Sequence, residues 1–98
     1  MVELRWSLLA AEDLENICLY IEKDSERYAR IIAQEIVGMA DLIPTFPYSG
    51  RMVPKYNSEF IREKMIKSYR VIYRIHGEYI EVVRILQQRR QLTDNLEE

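Results

Sequence analysis

The chain has 98 residues, 48% hydrophobic and 31% charged, an ordinary balance for one soluble globular domain (residues 1–98) built on one core. Its lone cysteine, Cys18, excludes an internal disulfide and any zinc site built on paired thiolates. No apolar run approaches membrane-spanning length, the opening Met-Val-Glu-Leu-Arg-Trp carries no apolar signal region, and a reducing cytoplasm is the expected location. The net charge of −2 hides an asymmetry: residues 1–50 hold four basic and nine acidic side chains, residues 51–98 ten basic and seven acidic, so the second half can meet an anionic partner.

Residues 2–6 read as a short strand, with Trp6 as a core or edge anchor. Ser7 follows as a helix N-cap, and Leu14, Ile17, Cys18 and Ile21 recur at the spacing of one helical face, which predicts a helix over 8–23 and a buried, structural Cys18. Asp24-Ser25 breaks the pattern. Ala29, Ile32, Ile36, Ala40 and Ile43 then predict a second helix over 26–43, antiparallel to the first because the connection is short. The run Pro44-Thr45-Phe46-Pro47-Tyr48-Ser49-Gly50-Arg51 ends it. Residues 60–66, 69–76 and 79–86 are rich in β-branched and aromatic side chains and predict three strands. The order β-α-α-β-β-β describes an α+β fold, an antiparallel helix hairpin packed on one face of a small, mainly antiparallel sheet.

A two-residue loop at Gly77-Glu78 fixes a register. Ile75 then faces Ile80, Tyr73 faces Val82 and Val71 faces Arg84 on the helix side; Arg74–Glu81, Ile72–Val83 and Arg70–Ile85 lie opposite, with Gln87 and Arg89 continuing on the Arg70 side. A three-residue turn around 66–68 places Ile61 and Met65 inward and adds Arg62 and Lys64 to the Arg70 face, leaving Glu63 inward or at an edge; a one-residue slip reverses this. The expected open face is Arg62, Lys64, Arg70, Arg74, Gln87 and Arg89 around Ile72, Val83 and Ile85. Converging guanidinium groups suit phosphate or carboxylate recognition, and an uncovered apolar strip suits a protein partner. An ordinary solvated sheet face has the same composition.

Several local pieces, in order, carry a resemblance: Trp6-Ser7 before a helix with Asp13-Leu14 and Tyr20-Ile21, Ala29 early in the next, the Pro47-Tyr48-Ser49-Gly50-Arg51 turn, Ile61-Arg62-Glu63, Tyr69-Arg70-Val71-Ile72-Tyr73-Arg74, and Val82-Val83-Arg84-Ile85-Leu86 followed by Arg89-Arg90. Over residues 4–92 the chain resembles the RelE/ParE toxins of type II toxin–antitoxin systems. The resemblance implies a cognate antitoxin that wraps the toxin, commonly in a heterotetramer, with Ile72, Val83 and Ile85 and the groove beside the helix hairpin as docking surfaces. It implies no cofactor and no metal.

The family has two branches, one cutting mRNA on the ribosome and one poisoning DNA gyrase. Nuclease action implies Lys64, Arg70 and Arg89 as catalytic cations, with Lys67 and Arg90 close by. It also needs a general acid and base. The chain has neither His nor Tyr after Tyr79, carries Gln87 where many relatives have His, and places its one histidine, His76, at a turn. The turn and strand pieces are closer to the ParE branch. The expectation is therefore growth inhibition by gyrase poisoning, through a face made of Arg62, Arg70, Arg74, Gln87, Arg89 and Arg90. An mRNA interferase, or a degenerate toxin that only binds antitoxin and regulates their operon, are the alternatives.

Overall fold

Ser7 begins the first helix by a double contact. Its Oγ accepts from the Ala10 N–H at 2.9 Å and donates to the Val83 carbonyl at 3.1 Å, so one hydroxyl caps the helix and ties it to the sheet. Ser25 repeats the cap, accepting from the Tyr28 N–H at 3.0 Å. The computed structural model describes residues 2–88. In chain order these form β1 (Glu3–Trp6), α1 (Leu8–Glu22), α2 (Glu26–Leu42), two 3-10 turns (Ile43–Thr45 and Pro47–Ser49), β2 (Arg51–Met52), β3 (Ile61–Ile66), β4 (Tyr69–Ile75) and β5 (Tyr79–Gln87). None of the helices is long and apolar enough to cross a membrane.

The sheet order is β1-β5-β4-β3-β2, with β1 parallel to β5 and all other pairs antiparallel. This is the expected α+β architecture, with one two-residue edge strand, β2, that the sequence pattern does not announce. On one face, Ala10 of α1 and Ile32, Ile36 and Ala40 of α2 pack against Val71, Tyr73, Ile80, Val82 and Ile85. Burying one such aliphatic side chain stabilises by roughly 1.5–3 kcal/mol, so this cluster is the main source of stability. The other face carries a second buried cluster of Val53, Ile61, Ile72, Val83 and Leu86, with Tyr56 packed on it.

The hairpin register agrees with expectation only near the turn. Ile75–Ile80, Arg74–Glu81 and Tyr73–Val82 pair as anticipated. A β-bulge then lets β5 gain one residue on β4, so Ile72 pairs with Arg84, Val71 with Ile85, Arg70 with Leu86 and Tyr69 with Gln87. Ile85 therefore belongs to the helix-side core, and Leu86 takes the place expected for it beside Ile72 and Val83.

The β3–β4 turn differs as well. Ile66 pairs with Tyr69, which leaves a two-residue loop, and Lys67 adopts φ 52° to close it. The strand slips by one residue relative to the three-residue turn. Met65 now opposes Arg70 and Ile61 opposes Arg74, while Arg62 and Lys64 oppose Tyr73 and Val71 on the helix side. The expected face with Arg62 and Lys64 beside Arg70 does not form.

Candidate functional site

Glu63 organises the second face. Its carboxylate is 1% exposed, a position that costs several kcal/mol unless charge and hydrogen bonds compensate it. Arg51, from β2, reaches Oε2 through Nε at 2.7 Å and Nη2 at 2.6 Å, and Arg70, from β4, reaches Oε1 through Nη1 at 3.1 Å. The three residues lie on adjacent strands because Arg51 pairs with Glu63 and Glu63 pairs with Ile72, two residues beyond Arg70 on β4. Arg51 is 66% exposed and Arg70 only 13%. Arg70 is thus the buried arm of an ion triad, not a cation standing open on a solvated sheet.

On the helix side, three side chains of the sheet converge on residues 46–50. Arg62 donates through Nη1 to the Tyr48 carbonyl at 3.1 Å and the Gly50 carbonyl at 2.9 Å, and through Nε to the Glu59 carbonyl at 2.8 Å. Lys64 Nζ donates to Ser49 Oγ at 2.9 Å. Tyr73, fully buried, donates through Oη to the Pro47 carbonyl at 2.6 Å and accepts from the Gly50 N–H at 3.2 Å. Burial raises the Tyr73 phenol above its ordinary 10.0, which keeps it in the protonated, donating form. Gly50 is required by close approach: a Cβ there would stand 2.4 Å from Tyr73 Oη and 2.8 Å from the Glu63 carbonyl. The segment so held presents Phe46 and Tyr48 to solvent, 68% and 52% exposed, with the Arg62 guanidinium 5.0 Å from the centre of the Tyr48 ring.

The remaining expected residues are scattered. Arg74 is half-buried opposite Ile61 and Glu81. Gln87 is exposed at the mouth of a cavity of about 230 Å³ that Asp13, Asn16, Tyr20 and Tyr69 also line. Arg89 and Arg90 lie outside the described residues. Ile72, Val83 and Ile85 are all buried, the first two in the second cluster and the third under the helices. The strip expected to be open for an antitoxin is therefore interior surface. Apolar surface is instead exposed in a cavity of about 380 Å³ at the end of β1, lined by Trp6, Ala11, Leu14 and Val37, with Glu15 at its rim.

Sequence reasoning missed Glu63, whose burial is explicable only once Arg51 and Arg70 are known to flank it. It also missed Asp13, which accepts from Arg84 Nε and Nη2 at 2.8 and 3.0 Å and from the Ile85 N–H at 2.9 Å. Asp13 joins α1 to the bulged part of β5, and its carboxylate raises the Arg84 pKa.

Apart from Glu63, which is held in the ion triad, His76 and Cys18 are the acid–base candidates to weigh among the described residues. His76 contacts Glu81 at 3.3 Å and stacks on Tyr79 with ring centres 4.3 Å apart. The rise of about 3.3 Å per strand residue places it on the order of 20 Å from Arg70. The Cys18 thiol is half-buried 4.0 Å from the Ala29 carbonyl, and burial pushes its pKa up, the opposite of an activated thiolate. Among the described residues no group of three or more His, Cys, Asp or Glu side chains could hold a metal ion.

Residues 4–92 match the family described as the ParE toxin of type II toxin–antitoxin systems, parDE. A structure described as the chromosomal ParDE toxin–antitoxin system from P. aeruginosa superposes with a TM-score of 0.74 at 23% identity, covering 89% of this chain and 96% of that one. A structure of the RelBE2 toxin–antitoxin complex from Mycobacterium tuberculosis gives a TM-score of 0.53 at 18% identity, covering 88% and 96%. No curated protein sequence matches.

Proposed function

The chain belongs to the ParE toxin family of type II toxin–antitoxin systems, and from that premise we propose that it arrests growth by poisoning DNA gyrase and is neutralised by a cognate antitoxin. The observation that carries the choice of target is the state of Arg70. Ribonuclease action needs a cation on the scissile phosphate and a proton donor and acceptor within hydrogen-bond reach of it. Arg70 is instead engaged by buried Glu63, Lys64 is on the opposite side of the sheet holding Ser49, and His76 is remote. These contacts favour a toxin that works by binding.

The antitoxin reading rests on the family and on the exposed apolar groove at Trp6, Ala11, Leu14 and Val37, which suits the apolar stripe of a helix. Assembly with antitoxin into a heterotetramer, in the cytoplasm, is part of the same proposal. Gyrase-catalysed supercoiling of relaxed plasmid, with toxin freed of its antitoxin, tests it. Dose-dependent inhibition with accumulation of cleaved DNA is the expected result. A folded protein without effect on gyrase that cuts mRNA on ribosomes overturns the choice of target and makes Lys64, Arg70 and Arg89 the residues to substitute.

A further inference from the structure

We propose that residues 46–51, with the β3 cations behind them, bind an unpaired stretch of single-stranded DNA. The inference deepens the gyrase reading and rests on it for the choice of DNA over RNA, since DNA is that enzyme's substrate. Three observations support it. First, Phe46 and Tyr48 are the most exposed pair of rings close together in the chain, yet they sit on a segment fixed from beneath by Arg62, Lys64 and Tyr73. Because the backbone that carries these rings is already fixed, little of its freedom is lost when a flat partner stacks on them.

Second, the local charge is positive and uncompensated. Arg62 and Lys64 bond only to neutral oxygens, and among the described residues neither reaches a carboxylate at ion-pair distance. Even Glu59, close to Arg62 in the chain, meets it through its backbone carbonyl. Arg51 and Arg70 bond Glu63 on the opposite face, so the patch's own charge is that of Arg62 and Lys64.

Third, cation and ring stand side by side, with the Arg62 guanidinium 5.0 Å from the centre of the Tyr48 ring. Cations alone would suit any anionic surface. Cations beside exposed rings suit a strand whose bases are free to stack while its phosphates are neutralised. A duplex hides its base faces and would use only the cations. Arg62 occupies one face of the Tyr48 ring, which leaves the other as the stacking platform.

The test is fluorescence anisotropy of a labelled oligothymidine of roughly 12 nucleotides with the full chain, against a duplex and an oligouridine of the same length, over a range of salt. The expected result is preference for the DNA single strand, an affinity falling with salt at a log–log slope of roughly −1.4 for two neutralised phosphates, and a loss of roughly tenfold for Phe46→Ala and again for Tyr48→Ala. Circular dichroism confirms that these surface variants fold. No binding of the single strand at low salt, equal binding of the duplex, or unchanged binding in the double variant overturns the proposal. So does a double variant that loses gyrase inhibition although wild type binds no oligonucleotide, because the patch then meets protein. Strand binding without gyrase inhibition leaves the proposal standing and removes the gyrase reading instead.

Discussion

Replacing Tyr73 by phenylalanine deletes one oxygen atom and leaves the volume of the core almost unchanged. That oxygen serves two backbone groups, the Pro47 carbonyl at 2.6 Å and the Gly50 N–H at 3.2 Å. Leaving a buried polar group without its partner costs about 1–3 kcal/mol, and the 2.6 Å contact is at the short end of the hydrogen-bond range. Arg62 still holds the Tyr48 and Gly50 carbonyls, so the segment does not detach, and a loss of about 2 kcal/mol is expected in all. For a domain of this size that lowers the melting temperature by roughly 8–16 °C.

Thermal and urea melts at neutral pH, with an unchanged urea slope, measure it. The pH dependence gives a second handle. The folded-state pKa of Tyr73 is raised above its ordinary 10.0, chiefly by burial, so its contribution is fully present below pH 10 and is lost as pH rises through the folded value. Tyr69 shifts in the same direction for the same cause, so the variant's alkaline decline should be shallower than wild type but not flat. A variant within about 0.5 kcal/mol of wild type, with the same alkaline limb, would refute the reasoning.

Asp13→Ala strips the Ile85 N–H of its acceptor and leaves Arg84, mostly buried, without its carboxylate; a loss of about 3–5 kcal/mol in a chemical melt is expected. Gly50→Ala should cost about 1–3 kcal/mol, because the new methyl group overlaps Tyr73 Oη and the Glu63 carbonyl even though φ −73° and ψ 155° suit alanine; combining it with Tyr73→Phe should recover part of that loss. Glu63→Ala leaves the Arg70 charge buried and should also cost about 3–5 kcal/mol, whereas the paired change Glu63→Leu with Arg70→Met should lie within about 2 kcal/mol of wild type. Equal losses for the single and paired changes would show that the triad's charges are not what the site depends on.

The helices were legible because their signals are local. Ser7 and Ser25 cap where their hydroxyls predict, and the Ala29, Ile32, Ile36, Ala40 stripe is the buried face of α2. The strands were legible as segments, since β-branched and aromatic runs mark them whatever they pair with. Register was not, because it depends on single residues without a distinctive composition. Lys67 closes a two-residue turn at positive φ where the usual marker is Gly or Asn, and Val83–Arg84 forms a bulge with no glycine to announce it. Those two local events moved Arg62, Lys64, Ile85 and Gln87 to the other side of the sheet from Arg70. The candidate site suffered accordingly. Its residue types were visible in the basic second half, but Glu63 could be placed only inward or at an edge, because its two partners come from a strand of two residues and from across a misjudged turn.

The bulge in β5 has a further meaning for how this chain can vary. Side chains before and after it follow opposite parities, so the strand behaves like a text whose phase changes midway. Deleting either Val83 or Arg84 would bring the strand back into phase, with the remaining one opposite Ile72 and with Val71, Arg70 and Tyr69 still opposite Ile85, Leu86 and Gln87. The extra residue is what lets Val83 fill the second cluster while Arg84 reaches Asp13. A strand shorter by one here should keep its faces and give up one of those two contacts, whereas a deletion beyond the bulge would turn the residues after it over.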